Sequence, residues 1–148
     1  MDLIADLERT KAETLGHFEA DKEALEKRYA PGKWDVRYLL HHLADAETVL
    51  FDRIRRVLSR PGQVIWAFDQ DAWAHGLGYE ERPLTLSRDL YAATRGSVIY
   101  YASRDYESKG ALRFVHSETG LRTLADEFEK VAWHNQHHLD QIERALAN

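Results

Sequence analysis

Residues 124–147 read LADEFEKVAWHNQHHLDQIERALA. Leu124, Phe128, Val131, Ile142 and Leu146 recur at the three- and four-residue spacing of an amphipathic helix, with charged residues between them. Thr123 stands where an N-cap belongs and Asp126 falls in the first turn, a relative of the capping box. The same stretch holds His134, His137 and His138. With each residue turning about 100°, setting His134 at zero places His138 at about 40°, Gln141 at about −20° and His137 at about −60°. The apolar stripe centres near about 80 to 100°. His138 therefore lies inside the edge of the core face and His134 at its margin. His137 points away, toward solvent or another subunit. Two imidazoles at i and i+4 are close enough to chelate one ion.

Three further segments carry the same periodicity. The first runs from about Asp2 to Tyr29, through Leu3, Ile4, Leu7, Leu15, Phe18 and Leu25, until Pro31 and Gly32 stop it. The next runs from about Val36 to Ser59 behind Asp35 as N-cap, with Leu39, Leu40, Leu43, Leu50, Ile54 and Val57 in its stripe. Another spans about Leu86 to Ser108, its stripe drawn through Leu86, Leu90, Ala93, Val98 and Tyr101, with Tyr91 as a further candidate. No long alternating strand pattern is present; GALRFVHSETG, residues 110–120, is at most a short extended connector. The fold expected is all-α: one domain over residues 1–148, a four-helix bundle with a long crossover between its second and third helices. That crossover, Arg60 to Thr85, is longer than compact domains usually tolerate without a functional reason.

Composition narrows the chemistry. The formal net charge is −5, which argues against a nucleic-acid partner and against an anionic membrane surface. There is no signal-peptide core and no run long enough to cross a bilayer, so the cytoplasm is the default expectation. The chain has no cysteine. Any metal must be held by His, Asp or Glu, and any thiol must come from outside.

LLHHLADAE, residues 39–47, brings two more histidines. His42 lies about 100° from the centre of its helix's apolar stripe, and His41 about 160° away, facing outward. If the second and fourth helices are neighbours, His42 meets His134 and His138 across a groove, and three neutral imidazoles plus water make an open Zn²⁺ site. Imidazoles also suit Ni²⁺ and Fe²⁺. Spacing alone does not separate this from a merely histidine-rich helix. The motif lacks the Glu of HExxH, and no Glu stands three residues before a histidine as in di-iron bundles. His17, His75 and His116 read as surface, loop or hydrogen-bonding residues.

These residues resemble a known family. KWDVRYLLHHLADAE, residues 33–47, is similar to the W-S-x-x-x-x-L-x-H-L-x-x-x-E pattern of the DinB/YfiT-like superfamily, with Trp34, His42 and Glu47 in place and Asp35 where the Ser cap usually stands. HSETGLRTLADEFEKVAWHNQHHLDQI, residues 116–142, resembles its closing segment through His116, Gly120, Thr123, His134, His138, Gln141 and Ile142. AFDQDAWA resembles its crossover. The resemblance implies a four-helix bundle, a metal site of His42, His134 and His138, and frequent homodimers. It also implies enzymes that use a divalent metal with a low-molecular-weight thiol, acting on a small electrophilic substrate.

Three functions follow as expectations: metal-dependent transfer of a thiol, hydrolysis by metal-activated water without a thiol, or a non-enzymatic stress-related or metal-binding dimer. Gln141 and Asp45, one turn from ligands, are candidates for orienting them. Trp66, Phe68 and Trp73 are expected to wall the pocket. Asp69 and Asp71 are more simply solvated. Arg55 and Arg56 are candidates for a substrate carboxylate, with surface ion pairs as the plainer reading.

Overall fold

The computed structural model describes residues 2–148. Four long helices form the bundle: α1 (Leu3–His17), α3 (Val36–Ser59), α5 (Leu84–Lys109) and α6 (Leu124–Leu146). α3 packs against α5 and α6, and α1 against the same two helices. The expected first helix is broken in two. Asp21 takes an extended backbone and accepts the Ala24 N–H with its side chain, so the chain starts a separate short α2 (Lys22–Leu25). A side chain that caps a new helix competes with continuation of the old one.

The helices that carry the candidate ligands start as expected. Asp35 accepts the Tyr38 N–H at 2.9 Å to open α3. Thr123 and Asp126 form a full capping box at the start of α6. Here the extended connector proves to be a hairpin, so the fold is mostly helical rather than all-α. β2 (Arg113–His116) pairs antiparallel with β3 (Gly120–Thr123), and β1 (Val64–Ile65), from the crossover, pairs parallel with β2. The turn between β2 and β3 closes on Gly120 at φ 81°, a conformation that costs glycine little. The small sheet pins one end of the crossover. α4 (Gln70–Gly76), capped by Asp69, orders its middle.

The stripe expected for α5 is displaced in part: Val98 and Tyr91 are buried, but Ala93 is exposed. Leu86 and Leu90 are exposed, at 60% and 40%, while Ser87, Tyr91, Thr94, Arg95, Val98 and Ala102 are buried. The inward face is partly polar because it carries a hydrogen-bonded core network. Arg95, fully buried, places all five of its N–H donors. It bridges Glu47 on α3 with bonds of 2.6 and 2.9 Å, and reaches the Leu7 carbonyl and the Thr10 hydroxyl of α1 and the Asn135 side chain of α6. Tyr91 donates to the same Asn135 oxygen at 2.6 Å. A satisfied buried network fixes which helices meet and in what register. No helix among the described residues is long and apolar enough to cross a membrane.

Candidate metal centre

His42 comes from the buried first half of α3; His134 and His138 lie one turn apart on α6. Their imidazoles converge, each offering a nitrogen within 4.8 Å of the other two. His42 Nε2 and His134 Nε2 are 3.1 Å apart. At that separation one ring donates its N–H to the lone pair of the other. His138 Nδ1 lies 2.7 Å from Gln141 Oε1. An amide oxygen only accepts, so Nδ1 carries the proton and Nε2 keeps its lone pair for the centre. Gln141 Nε2 faces His137 Nε2 at 3.5 Å, which agrees with that amide orientation. His42 is held by rings instead. Trp34 packs at 5.3 Å and Phe68 stacks at 6.2 Å, while its Nδ1 has no hydrogen-bond partner among the described residues.

Burial keeps all three rings neutral. His42 is pushed down to about 3, by burial first and then by His138. His138 is pushed down to about 4, again mainly by burial, against the Gln141 hydrogen bond, which raises it. His134 falls well below the ordinary histidine value through burial, with His138 and His42 adding to the effect. Neutral imidazole is the form that ligates a metal. The donor set therefore fits a divalent cation: nitrogen ligands only, no thiolate, and three donors rather than a closed four.

Two cavities flank the cluster. One of about 490 Å³ is lined by Trp34, Asp71, Trp133, His134, His138 and Gln141. The other, about 250 Å³, is lined by His42, Phe68, Arg53, His116, Lys130 and His134, among others. Phe68 walls the second cavity and sits edge-on to Trp73 at 5.0 Å. Trp66, expected in that wall, is 76% exposed on the strap beyond β1. Asp71 lines the larger cavity, and Asp69 is occupied as the cap of α4. Exposed Trp133 stacks on exposed His137 at 5.3 Å, consistent with that histidine standing outside the cluster.

Other residues lie where sequence spacing did not put them. His41, expected to face outward, is fully buried. Its Nδ1 is 2.6 Å from Ser87 Oγ, and Tyr79 and Arg82 pack over it. The cause is coverage: the segment after α4 lies on the side of α3 away from the apolar stripe, so this part of α3 is buried all round. Asp45 belongs to that cover rather than to the histidine cluster. Its carboxylate accepts the Tyr79 hydroxyl at 2.7 Å and Arg82 at 3.0 Å, fastening the crossover to the helix that carries His42. Arg55 and Arg56 form surface pairs with Asp52. The arginine that does reach the site is Arg53, 3% exposed, which the sequence reading passed over. Its signal is the series 42, 46, 50, 53, in which the eleven residues from His42 to Arg53 turn to within about 20° of the same face. His116 is hydrogen-bonded, as one of its expected readings had it, but buried rather than on the surface, its Nδ1 accepting the N–H groups of Glu118 and Thr119.

The fold and site define a class: a helical bundle with a buried three-histidine cluster between two of its helices. The chain belongs to the DinB superfamily, whose sequence profile matches residues 6–142. A relative in Oceanobacillus iheyensis, named "Putative metal-dependent hydrolase", is 32% identical over 126 residues, covering 85% of this chain and 72% of its own. A second protein of that name in the same organism is 30% identical over 140 residues, covering 94% of this chain and 79% of its own. The structure of YfiT from Bacillus subtilis, described as a four-helix bundle of unusual topology, aligns with a TM-score of 0.87 at 24% identity, over 97% of this chain and 83% of that one. That likeness shows the fold.

Proposed function

We propose that the protein is a metal-dependent hydrolase of a small molecule, with His42, His134 and His138 as ligands to one divalent ion. The observation that carries this reading is the convergence of three neutral imidazoles from two helices within 4.8 Å. The names of the relatives point the same way. When bound, a divalent ion supplies Lewis acidity, polarising a carbonyl and lowering the pKa of water.

The chain's own residues do the rest. Gln141 holds the His138 proton on Nδ1, so that Nε2 faces the centre. Trp34 and Phe68 fix the His42 ring and keep bulk water from its buried edge. The pairing of Arg95 with Glu47 and Asn135 sets α3 against α6, and so the distance between ligands on the two helices. The cavity beside His134 and His138 has room for a small substrate.

Thiol transfer is the neighbouring reading. In a chain without cysteine, the thiol would enter the same cavity as a second substrate. The discriminating experiment assays metal-loaded protein on a panel of small esters, amides and electrophiles, with and without low-molecular-weight thiols. Hydrolysis indifferent to thiol supports the hydrolase. Turnover that appears only with a thiol transfers the assignment to thiol conjugation. No turnover in either arm, with the metal bound, removes the enzymatic reading.

A further inference from the structure

The protein has two buried arginines that make opposite use of their donors. Arg95 places all five N–H groups on protein acceptors. Arg53, side chain 4% exposed, makes no hydrogen bond with any described residue; its contact is the Glu127 carboxylate at 3.7 Å, and its buried Nε has no partner. Glu127 is engaged elsewhere, accepting Arg122 Nε at 3.2 Å, while its other oxygen also lacks a hydrogen bond. A buried guanidinium without hydrogen-bond partners is costly, and native proteins rarely leave one so.

Arg53 stands on the wall of the smaller cavity. His42, Ala46, Leu50 and Arg53 run along one face of α3, and Lys130 and His134 along α6. The cavity is therefore a groove between the two ligand-bearing helices, with the histidine cluster at one end. Arg53 stands about 16 Å of helix rise from His42, and Lys130 about 6 Å from His134. Lys130 is half-buried and makes no ion pair with a described residue. Burial lowers its pKa and the charges of Arg53 and Arg122 lower it further, against Glu127 and Glu118, which raise it. An anion seated between Arg53 and Lys130 would supply hydrogen-bond acceptors to the Arg53 guanidinium and a counter-charge to Lys130. Glu118, exposed at the rim, is the one carboxylate that lines the groove.

We propose that this groove is a carboxylate subsite, in which Lys130 and the planar fork of Arg53 hold the anionic end of a substrate whose other end reaches the histidine cluster. A guanidinium matches a carboxylate with two parallel hydrogen bonds, and a lysine beside it adds a mobile point charge. The substrate class is then an elongated small acid with its reactive bond remote from the carboxylate. Only the identity of the reacting end rests on the metal-centre reading.

The test follows backbone amide shifts of the metal-free protein during titration with glutarate, with uncharged glutaramide as control. Saturable shifts are expected at Phe68, Thr119 and Lys130 with glutarate alone. Lys130→Gln should weaken glutarate about tenfold, and Lys130→Arg should retain it. Both variants should melt with wild type, because the side chain is half-exposed. Absence of saturable shifts, equal response to glutaramide, or unchanged affinity in Lys130→Gln overturns the subsite. Zinc content is measured separately on the same samples. Protein that binds glutarate as expected but no zinc keeps the subsite and loses the metal centre; zinc binding without a Lys130-dependent glutarate site does the reverse.

Discussion

Replacing Arg95 with Met tests how the helices that bring the three histidines together are held. The guanidinium is fully buried and makes five bonds, two of them to the Glu47 carboxylate, which is itself 3% exposed. Methionine fills a similar volume without the donors. Of the bonds lost, those to Leu7, Thr10 and Asn135 leave neutral acceptors, but those to Glu47 leave a buried charge unpaired. That last effect dominates and sets the expected loss at about 3–5 kcal/mol. For a chain of this length the melting temperature should fall by roughly 6–20 °C. The assay is urea unfolding of metal-free protein followed by circular dichroism, with the double variant Arg95→Met/Glu47→Leu in parallel. Removing both charges should recover more than half of the loss, because the unpaired carboxylate is then gone. Zinc affinity should weaken in the single variant, since Glu47 shares α3 with His42 and Asn135 adjoins His134 on α6. A single-variant loss below about 1 kcal/mol, or a double variant as costly as Arg95→Met and Glu47→Leu summed, would show that the unpaired carboxylate is not the main cost.

Gln141→Ala should reduce zinc affinity by about 10- to 100-fold in chelator competition, by freeing the His138 ring and its tautomer; wild-type affinity would remove Gln141 from that role. Asp45→Ala should cost about 3 kcal/mol and open the crossover between residues 66 and 82 to limited proteolysis, because Arg82 and the Tyr79 hydroxyl lose their shared acceptor. His116 has a depressed pKa through burial, with Arg53 and Lys130 adding to it. The unfolded chain therefore takes up its proton first, and stability should fall as pH drops below the ordinary histidine value of about 6.5. Protonation at Nδ1 would also break both backbone hydrogen bonds it accepts. The pH dependence of urea midpoints between about 7 and 5 should be shallower in His116→Asn; identical slopes would exclude the contribution.

The parts of this fold most legible in the sequence were those set by local chemistry. Asp35 and Thr123 open α3 and α6 because a short polar side chain ahead of an apolar repeat satisfies free N–H groups. The angles on α6 put His134 and His138 toward the core and His137 outside it, and that is how the rings lie. What was hidden depends on contacts distant in sequence. His41 looks exposed on an isolated helix and is buried because Tyr79 and Arg82, from beyond α4, cover it. Leu86 and Leu90 of α5 misled because its inward face is turned by Tyr91 and Arg95, whose hydrogen-bond partners sit on three other helices. The sheet was missed because β1 is two residues long and pairs with a strand some fifty positions later. Arg53 was passed over because its neighbours Arg55 and Arg56 form the more conspicuous pair, although the eleven-residue step from His42 was there to be counted.

The proposed function depends on whether three imidazoles from α3 and α6 hold one metal ion. Metal content per chain, measured on purified wild type beside His138→Ala and His137→Ala, tests this most directly. One divalent ion per chain is expected in wild type and in His137→Ala, and its loss in His138→Ala. Wild-type protein without stoichiometric metal after loading, or His138→Ala that retains it, would mean that these histidines are not the ligands of a metal ion.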